Sequence, residues 1–151
     1  LEHVPNAGFL LYDGDQGQIY FRLFSYVRYL NQKGIDPEYT DAFGKTLAEF
    51  NGLQGMVAEM ATDIDAARLL TLRAAWLKDQ ARPAMHAAAM AKVFASETAM
   101  KAATRAVQIH GGAGYMRETL VERLYRDARL FPIGGGTREI MNEIIAQAEG
   151  Y

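Results

Sequence analysis

Apolar residues recur at three- and four-residue steps through most of this 151-residue chain, the spacing that lines one face of an α-helix. The longest run lies between Phe43 and Gln80, where Leu47, Phe50, Leu53, Val57, Met60, Ile64, Ala67 and Leu70 form one stripe. A continuous helix there spans about 50 Å. Gly52 and Gly55 weaken it by up to about 1 kcal/mol each relative to alanine. Asp63, Asp65, Arg68 and Arg73 fall on its polar faces and read as solvated charges. A second helix is expected from near Pro83, since proline is tolerated in a first turn, to about Ile109. Ala87, Ala91, Ala95, Ala99, Ala102 and Ala106 give it a smooth face that lets a neighbouring helix approach closely. Met85, Met90, Val93, Met100 and Val107 supply bulk and read as adaptable core.

The remaining patterns are shorter. Tyr20, Phe24, Val27 and Leu30 keep helical spacing, and Gly34 can cap that helix before Pro37 breaks the chain. This stretch reads as an aromatic-rich bundle helix, with a membrane or partner surface as the alternative. Thr119 and Glu122 have capping-box spacing and set a helix start. That helix carries Glu122, Arg123, Arg126, Asp127 and Arg129 around Val121, Leu124, Tyr125 and Ala128. A last helix opens at Gly136-Thr137-Arg138-Glu139, keeps Ile140, Ile144 and Ala148 along one side, and ends at Gly150. Without a strand pattern, four or five helices on short connections make an all-α, up-and-down bundle. Residues 1–35 are expected to add one helix packed on it, and residues 36–151 to form the bundle itself.

Composition narrows the function classes. A formal net charge of −2 argues against nucleic acid, whose phosphates call for a basic face. The chain has no cysteine, so it offers neither disulfides nor thiolate chemistry, and a cytoplasmic location fits. No apolar run approaches the roughly 20 residues of a membrane span. A basic start followed by an apolar run is not seen either, so no signal peptide is expected. His3, His86 and His110 are far apart, and no Glu-x-x-His pair suggests a di-iron bundle. His110, beside glycines, reads first as a helix-end hydrogen-bond partner.

Two glycine clusters punctuate the last third: Gly111-Gly112-Ala113-Gly114 and Gly134-Gly135-Gly136. Glycine lets other groups approach the backbone. The second cluster precedes a helix start, where free N–H groups and the helix dipole favour anions. Such loops are also common as plain punctuation.

The stretch QIHGGAGYMRETLVERLYRDARLFPIGGGTREIMNEIIA resembles the C-terminal helical domain of the acyl-CoA dehydrogenase family. Its Gln-x-x-Gly-Gly start, Val-Glu-Arg-Leu-x-Arg-Asp-Ala helix and Gly-Thr-x-Glu-Ile end keep the family's order. The likeness extends back to Phe43 but not into the first 40 residues. The resemblance implies an oligomeric FAD-dependent oxidoreductase, a dimer or tetramer, that desaturates an acyl-CoA by loss of an α-proton to a base and a β-hydride to the flavin. It implies that Gln108, Ile109, His110, Gly111 and Gly112 lie near the FAD of a neighbouring subunit. Thr137, Arg138 and Glu139 would also meet FAD, and Phe43 would lie beside its nucleotide. The two glycine turns together are expected to seat the FAD diphosphate across a subunit boundary.

Two positions depart from the family pattern. Many members carry their catalytic glutamate in the last loop, where this chain has Gly135; the GGGT loop resembles the long-chain and isovaleryl-like subgroup, whose glutamate lies on an earlier helix. Counting back reaches Asp13-Gly14-Asp15, so no base is assigned. The arginine expected three residues before Phe43, a diphosphate contact, is Thr40, with Asp41 beside it; a charge-assisted pair is lost there. The alternative function is a non-catalytic oligomerisation or scaffolding bundle derived from the family.

Overall fold

The computed structural model describes residues 49–151. The helix expected around Tyr20, the whole of residues 1–35, and Thr40, Asp41, Phe43 and Leu47 lie outside the described residues. Within them the chain forms helices α1 (Asn51–Asp79), α2 (Met85–His110), α3 (Gly112–Tyr115), α4 (Leu120–Ala128) and α5 (Arg138–Ala148), with no strand. The all-α expectation therefore holds.

Helix α2 is the axle, packed against each of the other four. All six alanines of the expected face are at most 4% exposed, and Ala89 and Ala103 are buried as well. Small side chains thus occupy more than one side of α2, which is how one helix can accept several close neighbours. The core joins Met60 and Ala67 of α1 and Ala95, Ala99, Ala102, Ala103, Ala106 and Ile109 of α2 to Val121, Leu124 and Ala128 of α4.

Contacts between charged and polar side chains fix the directions. Lys101 meets Asp63 at 2.7 Å and Arg105 meets Glu59, so α1 and α2 run antiparallel. Arg138 meets Glu97 at 2.8 Å and His86 meets Glu149 at 3.2 Å, so α5 is antiparallel to α2 along its first half. Helix α5 has no fully buried residue. Helix α4 packs on the second half of α2 through Val121, Leu124 and Ala128.

The structure corrects several boundaries. The helix expected from Phe43 begins at Asn51, because Phe50 is extended (φ −85°, ψ 118°) and caps it. Gly52 and Gly55 in the first turns lower the propensity to propagate further back. Helix α2 begins at Met85, two residues after Pro83, with Ala84 as its cap. Thr119 does precede α4, but its hydroxyl does not cap it; it donates to the carbonyls of Ala113 at 2.8 Å and Met116 at 2.7 Å. Glu122 is taken by Arg126, one turn on, through two hydrogen bonds, one of 3.1 Å. The Thr119 hydroxyl therefore locks the preceding turn instead of the following helix.

Two helix ends share one closing turn. At α1, Arg82 N–H reaches Leu77 O at 2.9 Å and Ala81 takes φ 52°. At α5, Tyr151 N–H reaches Ala146 O at 3.0 Å and Gly150 takes φ 93°. Glycine adopts this left-handed geometry without penalty, and alanine does not. The second half of α1 is apolar on two sides. Ala67, Thr71, Ala74 and Ala75 face inward, while Leu69, Leu72 and Trp76 are exposed on the far side, with Arg82 5.7 Å over the Trp76 ring. No helix among the described residues is long and apolar enough to cross a membrane.

Candidate functional site: two glycine turns on one helix axle

The first turn closes α2. Gly111 takes φ 55°, ψ −135°, and its N–H bonds to Gln108 O at 3.2 Å. A side chain at Gly111 or Gly112 would meet no atom within 4 Å, so the backbone there faces open space. Gly114 is the opposite case: a Cβ would sit 2.6 Å from Val107 O. It is the glycine that lets α3 fold back against the last turns of α2. Gln108 is exposed, with its amide available. Ile109 points into the core beside Val121 and Leu124, leaving only its main chain for a ligand. His110 Nδ1–H donates to Ala106 O at 2.8 Å, so its ring is fixed along its own helix. That is the helix-end role read from its position.

The second turn lies between α4 and α5. Gly135 and Gly136 take φ 72° and 99°. Thr137 then caps α5 with extended backbone (φ −65°, ψ 165°), as expected from the sequence. Its three candidate residues are engaged with protein. Arg138 holds Glu97. The Glu139 carboxylate accepts from its own backbone N–H and from the Thr137 hydroxyl, and these bonds hold its pKa below the ordinary glutamate range, with Arg138 and Lys92 adding to the effect. The anion-favouring start of α5 thus already has a carboxylate. An added phosphate would meet that charge, whereas hydroxyl donors would find an acceptor.

One residue of this site is not apparent from sequence. Lys92, within the alanine-rich α2, is 3% exposed, and its Nζ donates to the carbonyl of Gly136. Burial pushes its pKa down, and Glu139 opposes that shift. A lysine on a helix ordinarily reads as a solvated charge, and its acceptor lies 44 residues away in the chain.

The structure brings Gln108, Ile109, His110, Gly111 and Gly112 together in one turn, and Thr137, Arg138 and Glu139 in another, but not the two turns with each other. The second is anchored to Lys92 and Glu97, near the middle of α2, and the first sits at its C-terminal end. At about 1.5 Å per residue, they stand roughly 15–30 Å apart along the helix. Within one chain, therefore, the two turns do not share one diphosphate, since two bridged phosphates cannot span that gap; the expected seat across a subunit boundary would draw its turns from different chains. Among the described residues no group of three or more His, Cys, Asp or Glu could hold a metal ion.

Comparison with known proteins places the fold. Residues 38–150 match the family described as "Acyl-CoA dehydrogenase, C-terminal domain". The probable acyl-CoA dehydrogenase YngJ of Bacillus subtilis is 52% identical over 105 residues, 70% of this chain and 28% of that protein. The structure of butyryl-CoA dehydrogenase from Megasphaera elsdenii superposes with a TM-score of 0.83 at 33% identity, covering 95% of this chain and 37% of that one. PigA, solved with FAD and proline, superposes with a TM-score of 0.81 at 27% identity over 87% of this chain and 35% of that one. The chain spans about a third of the length of these proteins. With three quarters of its length matching that one domain, the chain belongs to the acyl-CoA dehydrogenase family, as its C-terminal helical domain.

Proposed function

We propose that this chain is the C-terminal part of an FAD-dependent oxidoreductase acting on an acyl-CoA, and that it supplies part of the FAD wall and a subunit interface. It does not catalyse alone. The observation that carries the reading is the open backbone at Gly111 and Gly112 beside the exposed Gln108. Glycines at these positions leave room for a ligand to reach main chain, and Gln108 can donate and accept through its amide. FAD, when bound, supplies hydride acceptance.

The residues have separable tasks. Gln108 and the Gly111–Gly112 backbone would hold a cofactor at one end of α2. Thr137 and Glu139 would meet cofactor hydroxyls near the middle of α2, with Arg138 held away by Glu97. Phe43 would add an aromatic wall. The distance between the turns gives each chain two half-sites, so a homo-oligomer in which each FAD takes one turn from each of two subunits fits this layout. Gly135 cannot act as a base, and the triple glycine is the ground for placing the chain beside the long-chain and isovaleryl-like members, whose glutamate lies on an earlier helix. A cytoplasmic location remains part of the proposal.

The test is the intact protein's flavin. A yellow protein that reconstitutes with FAD, and that loses about tenfold in affinity when Gln108 becomes alanine, supports the reading. A colourless protein that takes up no FAD yet assembles as a dimer or tetramer refutes it and favours the second reading, an oligomerisation bundle without cofactor. The observation behind that alternative is the exposed stripe of Leu69, Leu72 and Trp76.

A further inference from the structure

A buried lysine calls for a reason. Of the lysines among the described residues, Lys78 and Lys101 are exposed, and only Lys92 is inside. A cation withdrawn from water is costly unless it is paired and hydrogen-bonded, and a methionine would fill the same slot without that cost. What Lys92 gains is specific. Its ammonium donates to the carbonyl of Gly136 and lies close enough to Glu139 for each charge to stabilise the other. Gly136 takes φ 99°, one of several conformations open to a residue without a Cβ, so a fixed carbonyl there needs another tie. Glu139 is a carboxylate whose charge, without a cation nearby, would repel a dinucleotide's phosphates.

We propose that Lys92 is a positioning residue for the Thr137–Glu139 segment, holding the Gly136 carbonyl so that α5 starts at Thr137 and offsetting the Glu139 charge where FAD approaches. This rests on the FAD reading above. The loop between α4 and α5 has two glycines with left-handed φ in succession, and α5 buries no residue completely. Its position is therefore set in part by polar ties, Lys92–Gly136 at its start, Arg138–Glu97 in its first turn and His86–Glu149 at its end, beside the half-buried Met141, Ile144 and Ile145. Removing the first tie frees the loop and leaves Arg138 as the nearby cation that offsets the Glu139 carboxylate.

The experiment compares Lys92→Met, Glu139→Gln and the double variant in the intact protein, by FAD titration through the bound-flavin absorbance and by hydrogen–deuterium exchange. Lys92→Met is expected to weaken FAD by about tenfold or more in the native background but by about threefold or less when Glu139 is already glutamine, a coupling typical of contacting charges. Exchange is expected to quicken at the amides of residues 135–141 and to stay unchanged along α1. A Lys92→Met protein that binds FAD like wild type overturns the proposal, as does an equal loss in both backgrounds, which would mark mere loss of packing. If wild type takes up no FAD, the cofactor reading falls by itself, and exchange decides: a quickened loop supports the positioning role, and an unchanged loop overturns it.

Discussion

The two glycine turns use the same residue for opposite purposes. At Gly111 and Gly112 the missing side chains leave empty space, while at Gly114 the missing Cβ lets one helix touch another. At Gly135 and Gly136 the gain is conformational: two successive left-handed residues turn the chain, and Lys92 and Glu139 hold the result. A run of glycines in sequence therefore mixes packing, access and backbone freedom, and only the surroundings of each residue separate them.

Substitutions can test that separation. Gly114→Ala is expected to cost the most, about 3 kcal/mol or more in urea unfolding, because its Cβ meets a backbone carbonyl that cannot swing away. Gly112→Ala, two residues earlier, should change stability by less than about 0.5 kcal/mol. Similar losses at both would mean that the cluster packs as a unit. Gly136→Ala should fall between them, at about 1–2 kcal/mol, since its φ of 99° is unfavourable for alanine while the nearest obstacle is the mobile Met141 Cε. The smallest effect concerns pH. Because the Glu139 pKa is lowered in the fold, its contribution is present above the ordinary glutamate pKa and is lost as pH falls through the lowered value. Glu139→Gln should therefore lower stability slightly at neutral pH and converge with wild type in acid, which flattens the acid limb, measured by thermal unfolding across that range. An unaltered acid limb would remove Glu139 from the second turn's machinery.

The axle of this fold was legible in the sequence because its signal is local. The alanines of α2 repeat every three or four residues, and all of the expected ones are buried. The starts of α4 and α5 after Thr119 and Thr137 could be read from residue type for the same reason. The hydroxyl of Thr119 could not, since whether it faces forward or back depends on Ala113 and Met116, which α3 brings to it. Lys92 was hidden more deeply: its acceptor belongs to a loop far along the chain, and no spacing rule connects them. The Gln108–Gly112 turn was readable as a motif, but its distance from Thr137 followed only once α5 was seen to run back along α2.

The far side of α1 has a practical consequence. Leu69, Leu72 and Trp76 are turned outward from a helix whose other side is already committed to α2. A segment with two greasy sides is at ease only when something lies over each. Unfolding measured on this domain at high dilution would then report the loss of its covering together with the loss of its own core, and the midpoint should climb with protein concentration.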